Sequence, residues 1–151
     1  MYDLMLMNNW TAFTYVTLTD QKELFKDLWQ SLVVTEAYSQ PFLMHGILAL
    51  SALHLASISH DRPEKSREHR AAALRHHDQA IALFRPLLSK ITEHNCHTIF
   101  GFSALLVVLS FALPGFPLQE NTNSSVEELL TIITLLKGVQ GMCALVSITP
   151  V

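Results

Sequence analysis

The chain carries eight histidines, and they are the side chains with the clearest capacity for chemistry. His45 and His54 lie inside the apolar run from Phe42 to Ile58. A buried imidazole has to be hydrogen-bonded. Each of the two is therefore either a satisfied core residue or a polar point in a pocket, where it contacts a ligand or moves a proton. His77 falls on the expected inner face of a later helix and joins them as a candidate. His69 and His76 are two turns apart on that same helix, and His94 and His97 are spaced by three with Glu93 beside them. Either pair supplies two metal ligands, whereas a site needs at least three, and no HExxH motif occurs. These four are read as surface or helix-terminal residues, and neither a metal nor a cofactor is expected.

Other chemistry is poorly supported. No Ser-His-Asp arrangement has local backing. Cys96 and Cys143 sit within apolar helical patterns and read as buried thiols. Gly138 and Gly141 fall inside a helical pattern with no Lys-Ser/Thr after them, unlike a phosphate loop. Aromatic residues are a stronger lead. Trp29, Phe42, Phe84 and Phe102, with other rings, either build core or line a cavity for a sterol, terpene or polyketide-like molecule. The candidate ligand contacts are thus His54, His45, His77, Phe84, Phe102 and Trp29, with no catalytic residue assigned.

The elements that position them are helical throughout, since apolar residues recur at spacings of three and four and nowhere convincingly alternate. A first helix is expected from Tyr2 to about Val16, and a second from Asp20, with Glu23 at capping-box spacing. The third opens at Pro41, runs to Ile58, and is so apolar that it should be central. Asp61-Arg62-Pro63-Glu64 starts a fourth that reaches about Lys90, with Ala73, His77, Ala80, Phe84 and Leu88 inward and a kink at Pro86. Thr92 caps a fifth, and Ser124 or Ser125 a sixth, on either side of a loop rich in Pro, Gly and Asn. The expected fold is all-α, a six-helix bundle or α-hairpin array, forming a single domain over residues 1–151.

Composition narrows the function. A formal charge of -3 and dispersed Lys and Arg exclude a nucleic-acid-binding face. The apolar run from Ile99 is ended at Pro114, short of the roughly 20 residues a bilayer span needs. No secretory signal opens the chain. Half the residues are apolar and 15% are charged. For so short a chain this predicts either a partner that covers one face or membership of a larger domain.

The segment from Gln40 to Ala56, QPFLMHGILALSALHLA, closely resembles the HPFLLHALLALSALHLA stretch of fungal zinc-cluster transcription factors of the sterol-uptake-regulator type. His76 to Leu88 is similar to that family's HYQQALxxFRPxL segment, Ile91, Thr92 and Asn95 to its ITxxN, and Leu135 to Val139 to its LLRGV. The resemblance implies an all-helical regulatory domain that in relatives follows a six-cysteine zinc cluster and, in the sterol regulators, binds ergosterol and holds the factor inactive in the cytosol. Two cysteines cannot build that cluster, so direct DNA binding does not transfer. The chain also ends near the LLRGV helix, where relatives continue, and so is expected to correspond to the N-terminal half of a larger effector domain. Gln40 stands for the family's leading histidine, and Gly46 for an alanine.

The expected function is a ligand-sensing or partner-binding regulatory domain, resident in nucleus or cytoplasm. Its ligand would lie between the third, fifth and sixth helices, anchored by His54. Its macromolecular partner would be a second copy or a related regulator. Two other readings stay open. One is a small isomerase or cyclase of specialised metabolism that uses an apolar cavity, with His45, His54 or His77 as acid-base group. The other is a homodimerising scaffold without ligand.

Overall fold

The computed structural model of the chain describes residues 1–18 and 28–113. Among them are five α-helices and no strand: α1 (Tyr2–Ala12), α2 (Val33–Ala37), α3 (Pro41–Ile58), α4 (Pro63–Phe84) and α5 (Cys96–Ala112). The all-α class stands as expected. The sixth helix, the Asp20 start signal and Cys143 lie outside the described residues. The chain divides into two compact units, Met1–Ile91 and Thr92–Val151.

In the first unit α3 is the central element, packed by α1, α2 and, most extensively, α4. Leu and Ala are its commonest residues, and both form helices readily. Pro41 occupies the first helical turn, where its missing N–H removes no hydrogen bond. The side chains of Phe42, Leu43, Ile47, Leu50 and Leu53 are buried, together with Ala49, Ala52 and Ala56. By length and composition this is a helix apolar enough to cross a membrane, and most of it is buried within the fold, as in a core helix. Buried alanines recur on α4 at Ala72, Ala73 and Ala80, and small side chains on both helices permit close approach of their axes. A short turn joins them, tied by Arg62 N–H to the Ser59 carbonyl and by the Ser66 hydroxyl to the Ala56 carbonyl.

Several boundaries differ from expectation for local reasons. The first helix ends at Ala12 and passes into a 3-10 turn over Thr14–Leu18 instead of reaching Val16. There the Thr17 hydroxyl bonds the Thr14 main-chain carbonyl, a local alternative to continuing the helix. α2 is entered through a π-turn at Leu28–Leu32. The residue capping α4 is Arg62, without a side-chain cap, and not Asp61. α4 stops at Phe84, and a 3-10 turn over Arg85–Ser89 replaces the expected kinked continuation. Pro86 explains this, because it has no N–H to give to an α-helical carbonyl.

In the second unit α5 begins after Asn95 and not after Thr92; the Thr92 N–H instead donates to the Asn95 side-chain oxygen at 2.7 Å. Ile99, Phe102, Leu105, Leu106 and Leu109 are buried at helical spacing. Cys96, expected to be buried, is half-buried at the first turn, with its thiol directed at the Glu93 carbonyl.

Candidate functional site

Within the first unit, His45, His54, His77, Phe84 and Trp29 do not converge on one place. His45 and His54 are nine residues apart on α3, which at about 100° per residue puts them on opposite faces. Phe102 belongs to the second unit. Phe84 packs its ring on Phe42 at a centroid distance of 5.7 Å and is a core residue of the first. Trp29 is half-buried in the π-turn, and its carbonyl accepts from the Trp10 indole at 3.2 Å. His77, expected on the packed face of α4, lies at its edge: the buried residues are His69, Ala72, Ala73, His76, Ala80 and Phe84, and His77 is half-buried with its Nδ1 covered. Nδ1 of His77 has no hydrogen bond; Asp78 Oδ1 lies 3.6 Å away, too far for one.

What the fold does assemble is two polar groups within the first unit. One lies where α1 ends against α3. Asn9 of α1 is buried, and its amide nitrogen donates to the Thr14 hydroxyl at 2.9 Å and the Ser51 hydroxyl at 3.0 Å. Ser51 passes its own proton to the Leu6 carbonyl at 2.6 Å. The Thr14 hydroxyl lies 3.0 Å from Nδ1 of His54. Burial holds His54 below the ordinary histidine pKa, so the ring is neutral at pH 7. A half-buried, neutral imidazole at the end of a satisfied hydrogen-bond string is a suitable single polar anchor.

The second group joins α1, α3 and α4. His76 is buried, with Nε2 3.4 Å from the Asp3 carboxylate and Nδ1 2.9 Å from Nδ1 of His45. Asp3 favours a proton on Nε2 of His76, which leaves Nδ1 of that ring to accept and His45 to donate. Burial lowers the pKa of His45 and, more than any other cause, that of His76; the Asp3 charge opposes it at both, while His45 and Arg75 add to it at His76. Beside this, the Tyr2 hydroxyl is hydrogen-bonded to Nδ1 of buried His69. Burial, with Glu68 assisting and Arg75 opposing, raises the Tyr2 pKa.

His69 and His76, expected at the surface, are buried bridging residues. Their partners, Tyr2 and Asp3, lie more than sixty residues away, a separation across which no sequence pattern links them. Asn9, Thr14 and Ser51 are likewise absent from the sequence-based candidates. A polar residue in an apolar helix, such as Asn9 between Leu6 and Trp10, is the signal that could have found them. Among the described residues no group of three or more His, Cys, Asp or Glu is placed to hold a metal ion.

Comparison with known proteins decides the relationship. The model of the fungal specific transcription factor domain matches residues 11–146. The chain belongs to that family. Within it, the chain is 30% identical over 124 residues to sterol uptake control protein 2 of Candida albicans, covering 82% of this chain and 16% of that protein. It is 28% identical over 110 residues to the protein of the same name in Saccharomyces cerevisiae, covering 73% of this chain and 11% of that protein. This fungal transcription factor domain thus spans a small part of the length of the curated relatives it matches. No solved structure matches it.

Proposed function

We propose that this domain is the sensing part of a sterol-responsive regulator, binding a neutral lipophilic molecule and answering with a change in helix packing that a macromolecular partner reads. The carrying observation is its similarity to two sterol uptake control proteins across most of its length. His54 supports the reading, because a sterol presents a large apolar body and a single oxygen, and a half-buried neutral imidazole can engage that oxygen without an unpaired buried charge. Of the six candidate contacts named above, His54 is retained; His45 and Phe84 are assigned to structural contacts with His76 and Phe42.

On this reading residues 1–151 are the N-terminal part of the family's larger effector domain, residing in nucleus or cytoplasm and pairing with a second copy or a related regulator. Native mass spectrometry of the purified chain with ergosterol tests it. One sterol per chain is expected, with weaker uptake by His54→Phe. Absence of any adduct overturns the sterol reading, and unchanged uptake by the variant removes His54 from it.

A further inference from the structure

The hydrogen bonds around His54 bear on more than an anchor, because they bias which of its nitrogens carries the proton. Asn9 donates one amide hydrogen to Thr14 Oγ1 and one to Ser51 Oγ. The orientation of that amide is settled by Ser51, whose only hydroxyl proton is committed to the Leu6 carbonyl at 2.6 Å, so that Ser51 can only accept from Asn9. Thr14 likewise accepts from Asn9 and has one proton left to give. Two acceptors are in reach: Nδ1 of His54 at 3.0 Å and the Asn9 carbonyl at 3.3 Å. The carbonyl already accepts the Phe13 N–H at 3.0 Å. The contact to the histidine is the shorter of the two, and with the Thr14 proton placed there Nδ1 of His54 accepts and, in a neutral ring, the proton resides on Nε2. Among the described residues Nε2 has no hydrogen-bond partner.

We propose that Thr14 is a positioning residue that holds His54 in its Nε2–H form, so that the site offers a single N–H donor and takes a neutral lipid through an oxygen acceptor. This rests on the sterol reading for its ligand but not for its hydrogen-bond logic. A ketone, which only accepts, satisfies such a donor as well as an alcohol does. The opposite tautomer would present a lone pair, which an alcohol can satisfy and a ketone cannot. A hydrocarbon satisfies neither and leaves the N–H unpaired.

The test has two readouts. Nitrogen-15 correlation spectra of the labelled, ligand-free chain at pH 7.5 report each ring nitrogen of His54 as pyrrole-like or pyridine-like. Nε2 is expected to be pyrrole-like and Nδ1 pyridine-like. Thr14→Val should move both toward the mixed values of an unguided ring, and Thr14→Ser should restore them. A pyrrole-like Nδ1 in the wild-type chain overturns the proposal even if Thr14→Val fails to fold, and unchanged shifts in a folded Thr14→Val remove Thr14 from it. Titration with ergosterol, its 3-ketone and the parent hydrocarbon then reads the ligand side. Alcohol and ketone are expected to bind within about threefold and the hydrocarbon about tenfold weaker, the weight of one hydrogen bond. A ketone that binds tenfold weaker than the alcohol overturns the donor assignment. Failure of all three to bind refutes the sterol reading instead, with the ring-nitrogen spectra still deciding the role of Thr14.

Discussion

Nδ1 of His45 on α3 and Nδ1 of His76 on α4 face each other at 2.9 Å, and one proton at most can sit between them. Two neutral rings, or one neutral and one charged, satisfy this contact; two imidazolium rings would bring two N–H groups and two charges together. Asp3, on the far side of His76, favours a positive charge on either ring but cannot relieve the meeting of two N–H groups. A second proton on the pair is therefore disfavoured.

Acid should accordingly weaken the fold. His45, His54 and His76 all have folded pKa values below the free value of 6.5, so between that pH and their folded values the unfolded chain binds protons that the folded chain does not. Their contribution is fully present above pH 6.5 and is lost as the pH falls through the folded values. Denaturant melts from pH 7.5 to 5 should show stability falling on the acid side, and His76→Gln should flatten that slope. An equal slope in the variant would show that the pair does not govern it.

Ser51 tests the string that ends at His54. Its hydroxyl is fully buried, accepts from Asn9 and donates to the Leu6 carbonyl. Ser51→Ala leaves one amide hydrogen of Asn9 only the longer contact to the Ser51 carbonyl at 3.4 Å and removes one donor from the Leu6 carbonyl. A loss of about 1–3 kcal/mol is expected. Because Asn9→Ala breaks the same string, the double variant should lose less than the sum of the singles, which a double-mutant cycle by urea denaturation measures directly.

Phe84 closes α4 onto the start of α3, where its ring meets Phe42. It is 3% exposed, so truncation to alanine removes a ring from packed surroundings and leaves a cavity. Phe84→Ala should cost about 3–5 kcal/mol. A loss below about 1 kcal/mol by urea denaturation, less than a large-to-small core substitution costs, would return Phe84 to the candidate pocket residues.

The extent of α3 is legible in the sequence to within a residue because its signals agree: a proline at the start, an unbroken apolar stretch, and polar residues after Ile58. For α4 the start is legible, and so is most of its inner face: Ala73, Ala80 and Phe84 are buried as expected, while His76 takes the buried place expected of His77 and Leu88 lies beyond the point where Pro86 ends the helix. The polar clusters are not legible at all, because each needs a partner set by tertiary packing. Asp3 meets His76, and Asn9 meets Ser51, only once α1 lies on the α3–α4 pair. His54 stands out in the sequence as a polar ring on the central helix, yet its hydrogen bonding depends on Thr14, which the apolar pattern places inside a longer first helix.

Gly101 offers a gain of stability instead of a loss. It lies within α5, where glycine leaves the unfolded backbone more freedom than alanine does and so disfavours the helix. A Cβ added there would meet nothing within 4 Å, so alanine brings no clash to offset that entropic gain. Gly101→Ala should stabilise the chain by about 0.4–1 kcal/mol. Thermal melts followed by circular dichroism would show it as a rise in midpoint with unchanged helical signal per residue. A fall in midpoint would mean that the position is occupied in solution, by a bound molecule or a second copy, and that α5 contributes to an interface through its glycine.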